Sequence, residues 1–279
     1  MDAGLTTRIT SLRNDHVKSA IKLRRGRHRR KLGQTLIDGV RELQRAIEAG
    51  VEVREVFVCR QLIQSAEALE LCRQLENLSA DLLEVNRPVF EKIAYGQRTD
   101  GLLAVAESRE ATLAQWQLPD RPLLAVVERL EKPGNLGAIL RSADGAGLSA
   151  LIVADTQTDL FNPNVIRSSL GSVFSLPVCR APSAEARHWL RDRQVTIYAA
   201  RVDADRDYTE VDWTLPAAVV LGAEATGLTD TWAGEDVTAI RLPMRGQVDS
   251  LNVSCAAAVL FYEALRQRST NPSPLAAQR

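Results

Sequence analysis

The chain has 279 residues, which is room for about two domains. Hydrophobic residues make up 45% and charged residues 25%, which is typical of a globular protein and excludes collagen-like, wholly disordered and disulfide-scaffold chains. Apolar runs such as Leu123–Val127 fall far below the ~18 residues of a membrane span, and the first residues lack the apolar segment of a signal peptide. Four scattered cysteines without a C-x-x-C pair predict reduced thiols, no metal site and a cytoplasmic location.

The charges balance overall but not locally. Lys and Arg number 35, as do Asp and Glu, so the net charge indicates no polyanionic partner. One basic block nevertheless has no acid between His16 and Ile37, and such a block repels itself unless an anion lies nearby. The block alone favours equally a phosphate-binding arm and a solvated helix face. Its residues are Lys22, Arg24, Arg25, Arg27, Arg29, Arg30 and Lys31.

In the N-terminal third, short apolar runs alternate with segments of helical spacing. This alternation predicts a mostly parallel sheet covered by helices. Strands are predicted at Thr35–Asp38, Val53–Val58, Leu82–Val85 and Gly101–Ala106, and helices at Val40–Ala49, Ala66–Leu78 and from Pro88 onward.

A second series of strands and helices follows a polar, proline-containing stretch. Its final helix is predicted to start with Asp249 or Ser250 as N-cap and to bury an apolar stripe of Leu251, Cys255, Ala258, Phe261 and Leu265. Strands are predicted at Leu123–Val127, Ala150–Ala154, Val195–Ala200 and Ala217–Leu221, and helices at Gly137–Ala146 and Ser250–Arg266.

Three motifs lie at the ends of strands in this second series. Glu131–Arg141 (EKPGNLGAILR) opens a helix after a strand, a position that favours anions, but the G-x-x-G spacing of Gly134 and Gly137 is not the dinucleotide fingerprint. Leu221–Leu228 (LGAEATGL) presents the carboxylate of Glu224 in a tight loop. Leu242–Met244 (LPM) precedes Ser250–Ser254 (SLNVS). Each motif alone is compatible with packing or helix capping. The order and spacing of the three motifs together are specific enough to indicate a protein family.

With these motifs in this order, the chain resembles the SpoU (TrmH-like) family of RNA ribose 2′-O-methyltransferases over residues 121–268. Residues 8–106 more loosely resemble that family's L30e/L7Ae-like RNA-binding domain. The resemblance implies an α/β fold in which the C-terminal SPOUT domain contains a deep trefoil knot and the N-terminal L30e-like α/β domain is smaller. The expected division is a basic arm (1–31), an L30e-like domain (32–107), a linker (108–121), the knotted domain (122–268) and a disordered tail (269–279).

The resemblance also implies S-adenosylmethionine as cofactor, no metal and a homodimer formed through the C-terminal domain. The family's cofactor contacts map onto Ala200, Leu221, Gly222, Gly227, Leu242 and Leu251. Its catalytic positions map onto Arg141, Asn135, Glu224, Ser250 and Asn252.

Arg141 is the expected central catalytic residue, projecting from the first turns of its helix. A guanidinium stays protonated, with a pKa above ~12, so stabilisation of a developing alkoxide is favoured over proton abstraction. Asn135 is expected to position the ribose or Arg141, and Glu224 to orient Asn135 or the loop. Ser250 and Asn252 are expected to order the cofactor loop and the substrate.

The predicted function is methylation of a ribose 2′-hydroxyl, with 23S ribosomal RNA favoured because of the additional N-terminal domain. Transfer RNA as substrate, and a non-catalytic RNA-binding or ribosome-assembly protein, are the alternatives. A nucleotide-dependent oxidoreductase is a further alternative, but the chain lacks the glycine fingerprint of that class. The motifs do not identify the target nucleotide. They are equally compatible with a housekeeping role and with a role in antibiotic resistance. The expected RNA contacts are Arg24, Arg25, Arg27, Arg29, Arg30, Lys31 and Arg167.

Overall fold

The computed structural model describes residues 7–77, 79–95, 100–156 and 158–270. The strands are β1 (Thr7–Ile9), β2 (Gln34–Asp38), β3 (Val53–Val58), β4 (Asp81–Val85), β5 (Leu102–Glu107), β6 (Leu123–Glu128), β7 (Ala150–Ala154), β8 (Val178–Ala181), β9 (Thr196–Ala200), β10 (Ala217–Leu221) and β11 (Val237–Ile240). The α-helices are α1 (Asp15–Lys22), α2 (Gly26–Leu32), α3 (Val40–Glu48), α4 (Ala66–Leu75), α5 (Arg87–Ile93), α6 (Pro133–Gly145), α7 (Pro163–Ser168), α8 (Ser172–Ser175), α9 (Ser183–Asp192) and α10 (Val253–Thr270). Within these described ranges, none of the helices has the length and apolarity to cross a membrane.

The chain forms two compact units. Unit 1 comprises Met1–Arg109 together with Asp159–Ser175, and unit 2 comprises Glu110–Thr158 and Leu176–Arg279. This division differs from the predicted one, which assigned residues 159–175 to the C-terminal domain. The predicted linker also differs, because Leu113 is buried in the core of unit 2 and Glu110 forms a two-point ion pair with Arg180 at 2.7 and 2.8 Å.

Unit 1 contains a mixed sheet with strand order β1-β4-β3-β5-β2. The β1–β4 and β3–β4 pairs are parallel, whereas β5 runs antiparallel to both β3 and β2. Four of the five strands therefore run in the same direction, so the predicted mostly parallel sheet is confirmed except at β5, which is reversed. Alternation of strands and helices does not fix the direction of each strand, and three-residue β1 is too short to give a periodic signal.

Part of the predicted basic arm is folded into unit 1. Asn14 caps α1 by accepting a hydrogen bond from the backbone of His16, and α2 ends at Gly33 in the left-handed conformation that favours glycine. Val17 and Leu23 are buried in the core of unit 1. Six of the seven residues of the basic block are therefore exposed on or beside ordered helices, whereas Arg29 is buried.

Residues 159–175 are held in unit 1 by polar contacts that span long stretches of sequence. Buried Arg29 forms an ion pair with Asp159 at 2.7 Å, and the Thr35 hydroxyl donates to the carbonyl of Phe161 at 2.6 Å. Arg45 donates to the carbonyl of Leu170 at 3.0 Å. Because more than 120 residues separate the partners in each pair, local sequence patterns carry no sign of these contacts.

Unit 2 contains an entirely parallel six-stranded sheet with order β11-β9-β10-β6-β7-β8. Strands β6, β7 and β10 are buried at every position, as expected for a parallel sheet with both faces covered. The predicted bounds of β7 and β10 are confirmed. Strand β8 and helix α9 were not predicted. The trefoil knot stays a prediction.

Helix α10 begins later than predicted, at Val253. Its buried stripe also differs from the predicted one: Cys255, expected inside, is exposed, whereas Leu260 and Ala264 are buried. Ser269 and Thr270 of the predicted tail are helical, and the rest of the tail lies outside the described residues.

Candidate active site

The loop after β10 forms a tight hairpin. A side chain at Gly222 is impossible without movement, because its Cβ would lie 2.2 Å from the carbonyl carbon of Gly227. The Gly227 amide donates to the Ala223 carbonyl at 2.9 Å, and Gly227 has a φ of 64°, a conformation that favours glycine. The two glycines of the second motif are thus required for the hairpin that presents Glu224.

Glu224 is the centre of a polar cluster that joins all three motifs. Its Oε1 accepts hydrogen bonds from the amide groups of Asn135 and of Asn252, the latter at 2.9 Å. Asn252 Nδ2 also approaches Asn135 Oδ1 at 3.5 Å. Asn135 lies in the first turn of α6, which follows β6, and β6 pairs with β10. Neighbouring parallel strands therefore bring these motifs to one edge of the sheet.

Lys132 completes the cluster and was not predicted. It is the N-cap residue of α6, and its ammonium donates to Glu224 Oε2. This hydrogen bond lowers the pKa of the Glu224 carboxyl, and the carboxylate in turn raises the pKa of the Lys132 ammonium. Glu224 is therefore ionised at neutral pH, with both oxygens accepting hydrogen bonds. The position of Lys132 directly before the Pro-Gly-Asn sequence is the signal that could have identified it.

A pocket of about 490 Å³ lies beside the hairpin. It lies at the carboxyl ends of three neighbouring parallel strands, because Ala200 ends β9, Leu221 ends β10 and Leu242 follows β11. Ligands of α/β proteins commonly bind at this edge of the sheet. The structure brings all six predicted cofactor residues to this pocket: Ala200, Leu221, Gly222, Gly227, Leu242 and Leu251.

Ser250 also lines the pocket, but it does not cap α10. Asn252 is the residue that bonds the start of that helix, since its Oδ1 accepts from the Ser254 backbone amide at 2.9 Å and from the Ser254 hydroxyl at 2.6 Å. The prediction of Asp249 or Ser250 as N-cap is therefore corrected. Asn252 uses its carbonyl oxygen for the helix and its amide nitrogen for Glu224, so it couples α10 to the polar cluster.

Glu128, the last residue of β6, was also missed. Its side chain is fully buried, with no cation hydrogen-bonded to it among the described residues. Oε1 accepts from the hydroxyls of Ser183 and Thr229 and from the Trp232 ring, and Oε2 accepts from the Thr229 amide. Because Thr229 directly follows the pocket residues Gly227 and Leu228, Glu128 tethers one end of the hairpin. An acid ending an otherwise apolar strand is the signal that could have identified it.

Arg141 lies apart from the cluster. Helix α6 begins four residues earlier than predicted, so Arg141 is its ninth residue and not part of the first turns. It lies about 9 Å along the helix axis from Asn135, at ~1.5 Å per residue, and it does not line the pocket. Its side chain is exposed and forms neither a hydrogen bond nor an ion pair with any residue that the structure describes.

Three predicted RNA contacts in unit 1 have structural partners. Arg29 is 3% exposed and ion-paired with Asp159, so it is not available to a ligand and its prediction is corrected. Arg24 donates to the carbonyl of Ala94 at 2.6 Å, although its side chain stays exposed. Arg167 is half-buried and donates to the carbonyl of Tyr95 at 2.5 Å.

The other four predicted contacts form an exposed basic surface on and just before α2. They make no side-chain hydrogen bond or ion pair with the described parts of the chain, which leaves their charges available to an anion. The four residues are Arg25, Arg27, Arg30 and Lys31.

No metal site is found among the described residues, which contain no group of three or more His, Cys, Asp or Glu side chains arranged to hold a metal ion.

Curated relatives cover nearly the whole chain. A 23S rRNA (uridine(2479)-2′-O)-methyltransferase of Streptomyces viridochromogenes is 33% identical over 275 residues, with 94% of this chain and 92% of the relative covered. The 23S rRNA (guanosine-2′-O-)-methyltransferase RlmB of Escherichia coli (strain K12) is 30% identical over 243 residues, with 84% and 99% covered.

Solved structures are similar over the same length. A crystal structure of an RNA 2′-O ribose methyltransferase superposes with a TM-score of 0.82 at 40% identity, covering 94% of this chain and 99% of the other. The SpoU methyltransferase AviRb from Streptomyces viridochromogenes, in complex with the cofactor AdoMet, superposes with a TM-score of 0.83 at 30% identity, covering 92% and 99%.

Family models match both parts of the chain. The MRM3-like substrate binding domain matches residues 14–104, most of unit 1. The SpoU rRNA Methylase family matches residues 122–262, which include the pocket and the Glu224 cluster. The expected family is thereby confirmed, and the chain belongs to the SpoU rRNA methylase family.

Proposed function

We propose that this protein transfers a methyl group from S-adenosylmethionine to a ribose 2′-hydroxyl of 23S ribosomal RNA. The observation that carries the proposal is the pocket at the ends of β9 and β10, with the Glu224 cluster at its edge. The relatives named above act on ribose 2′-oxygens of 23S rRNA, and AviRb has been crystallised with AdoMet. The two relatives act on different nucleosides, a uridine and a guanosine, so they support the reaction and the RNA class but not one nucleotide.

The residues around the pocket fit the methyl donor. A volume of about 490 Å³ is within the range of small-molecule sites, roughly 300–1,000 Å³. Leu221, Leu242 and Leu251 offer apolar surface for the adenine and thioether parts, and the hairpin between Gly222 and Gly227 offers backbone polar groups. Together with Ala200, these residues are proposed to hold the donor.

The donor supplies an electrophilic methyl group on a sulfonium, so that the new O–C bond forms as the C–S bond breaks onto sulfur and the hydroxyl proton is released. The chain must therefore orient the ribose and favour its alkoxide. Asn135 is suited to orient the ribose, because Glu224 fixes its amide nitrogen and thereby directs its carbonyl oxygen. Lys132 donates to the second oxygen of Glu224 and so helps to fix the carboxylate that holds both asparagines.

Arg141 is proposed to stabilise the developing alkoxide or its neighbouring phosphate. Its guanidinium is exposed and unpaired within the described chain, so it is free to bind an anion. Arg141→Lys retains the charge and is expected to keep part of the activity, whereas Arg141→Ala is expected to lose nearly all of it.

We propose that the active species is a homodimer formed through α10. Cys255, Val259 and Tyr262 form an exposed stripe on this helix, at spacings of four and three residues. Helix α6, which carries Arg141, packs beside α10, with the Tyr262 hydroxyl close to Gly145. A dimer with this interface would place the acceptor ribose near the boundary of the two copies. Reaction with ribosomal RNA would take place in the cytoplasm.

The RNA is proposed to bind unit 1 through the exposed surface of Arg25, Arg27, Arg30 and Lys31. Phosphate contact is favoured over base stacking, because these residues alternate with no aromatic side chain. Arg24 and Arg167 are proposed to contribute from the same unit, each with part of its hydrogen-bonding capacity already used.

The proposal is tested by incubating the protein with methyl-labelled S-adenosylmethionine and separated, unmodified 23S rRNA, 16S rRNA and tRNA. Label on 23S rRNA alone is expected. Label on tRNA alone would keep the chemistry but overturn the proposed substrate. RNA binding without label on any RNA would favour a non-catalytic assembly protein.

A further inference from the structure

The pocket contains an unusual distribution of charge. Of the described residues that line it, Arg201 is the one cation, and the acids are Asp203, Glu224 and Asp249. Glu224 already accepts hydrogen bonds from three side chains of the polar cluster. The remaining basic charge of the pocket therefore lies at Arg201, directly after the end of β9.

Arg201 and Asp203 form an ion pair at the edge of the pocket. Arg201 Nε donates to Asp203 Oδ1 at 3.2 Å, and the Arg201 backbone amide donates to the carbonyl of Ile240 at 2.8 Å. The backbone bond holds Arg201 against the end of β11, so its side chain starts from a fixed point. The two Nη groups of Arg201 have no hydrogen-bond partner within the described chain, and the Asp203 carboxylate, which also accepts from its own backbone amide, retains lone pairs for a further donor.

Both groups are charged at neutral pH. The hydrogen bond from Arg201 lowers the pKa of the Asp203 carboxyl, and a guanidinium stays protonated. The pair thus presents two unused cationic donors next to an anionic acceptor that retains lone pairs. This arrangement is complementary to a free α-amino acid group, in which a carboxylate and an ammonium are joined by one carbon atom.

We propose that the Arg201–Asp203 pair binds the amino-acid end of the methyl donor, Arg201 through its Nη groups to the α-carboxylate and Asp203 to the α-ammonium. This assignment rests on the proposed function and adds two residues to the donor site. Arg suits it because its guanidinium binds carboxylates through two parallel hydrogen bonds. The leucines that line the rest of the pocket cannot compensate for the desolvation of a carboxylate.

The test compares two ligands that differ only at the proposed contact. S-adenosylhomocysteine carries the amino-acid end, whereas 5′-methylthioadenosine keeps the adenosine and thioether without it. Their dissociation constants are measured by titration calorimetry on the full chain, for the wild type, Arg201→Gln and Asp203→Asn. Arg206→Gln is the matched control, because Arg206 is exposed in the same loop and does not line the pocket.

The proposal predicts a selective loss. Arg201→Gln and Asp203→Asn each weaken S-adenosylhomocysteine binding by at least about tenfold, as for a hydrogen bond between charged groups. Both leave 5′-methylthioadenosine binding within about twofold of wild type, and Arg206→Gln leaves both ligands unchanged. Arg201→Lys restores part of the affinity for S-adenosylhomocysteine.

An equal loss for both ligands would show that the pair only shapes the pocket, and unchanged binding of both would show that it lies outside the donor site. Either result overturns the assignment. Failure of the wild type to bind S-adenosylhomocysteine would instead overturn the proposed function, and this assignment with it. Should Arg201→Gln not fold, Asp203→Asn provides the same comparison from the other member of the pair.

Discussion

Glu128 is predicted to be the main polar tether of the hairpin, and Glu128→Gln tests this with the smallest change of shape. The carboxylate accepts three hydrogen bonds at Oε1 and one, from the Thr229 amide at 2.8 Å, at Oε2. A glutamine can place its carbonyl oxygen at only one of these positions. In its better orientation it retains three bonds, and its NH₂ group then faces the N–H of Thr229.

The magnitude follows from these contacts. A buried donor left unsatisfied costs about 1–3 kcal/mol, and three retained bonds are each weaker by roughly 1 kcal/mol because the acceptor is no longer charged. Removal of the buried charge recovers roughly 3 kcal/mol of this loss, because the desolvation penalty of a buried ion amounts to several kcal/mol. We expect a net decrease of about 2 kcal/mol in the unfolding free energy of unit 2, together with weaker binding of S-adenosylhomocysteine.

Tryptophan fluorescence during urea unfolding measures this effect in unit 2 specifically. All four tryptophans of the chain, at positions 116, 189, 213 and 232, lie in that unit. Glu131→Gln is the control, because it makes the same chemical change at an exposed side chain, where a change within about 0.5 kcal/mol is expected. If Glu128→Gln is no more destabilising than Glu131→Gln, the carboxylate is not the tether that its hydrogen bonds indicate.

Arg29→Ala is expected to destabilise unit 1 by about 3–5 kcal/mol, because it leaves the buried carboxylate of Asp159 unpaired. Arg30→Ala is expected to weaken RNA binding with little change in thermal stability. The reverse pattern in thermal melting and filter-binding assays would contradict both assignments. Lys132→Met removes the group that lowers the pKa of Glu224, so the acid limb of the kcat/KM pH profile moves to higher pH, whereas Lys132→Arg leaves the limb near its wild-type position. An unchanged limb in Lys132→Met would exclude Glu224 as the group that titrates. Burial raises the pKa of Asp38 from its ordinary 3.8 to about 6, so the folded state binds this proton more tightly and unit 1 loses stability as the pH rises from about 4 to 6. Asp38→Asn should abolish that loss in amide-exchange measurements across this range, and an unaltered pH dependence would show that another group is responsible.

The parts of the fold that the sequence predicts well are those set by local apolar pattern. Strands β7 and β10 are uninterrupted apolar runs that end at polar or glycine residues, and their predicted bounds are correct. The start of α10 was misplaced because three polar candidates, Asp249, Ser250 and Asn252, lie within four residues, and only the observed hydrogen bonds identify Asn252 as the residue that bonds the first turn. The direction of β5 and the position of residues 159–175 depend on contacts between distant residues.

The site was predictable to the extent that its residues belong to recognisable motifs. Asn135, Glu224 and Asn252 were predicted and lie together, since their motifs follow strands that are neighbours in the sheet or open the helix beside them. Lys132 and Glu128 were missed because their roles arise from partners that are 55 to 104 residues away. Arg29 was misassigned because a basic block in sequence gives no sign of which of its members is buried.

The central claim is that the methyl group is transferred to a ribose oxygen, and the identity of the product tests it most directly. The protein is incubated with 23S rRNA and methyl-labelled donor, and the RNA is digested to nucleosides for mass spectrometry. We expect the wild type to give a single 2′-O-methylated nucleoside with the label on its ribose, and Asn135→Ala to give no such product. Label on a base, or equal product from the wild type and Asn135→Ala, would contradict the account.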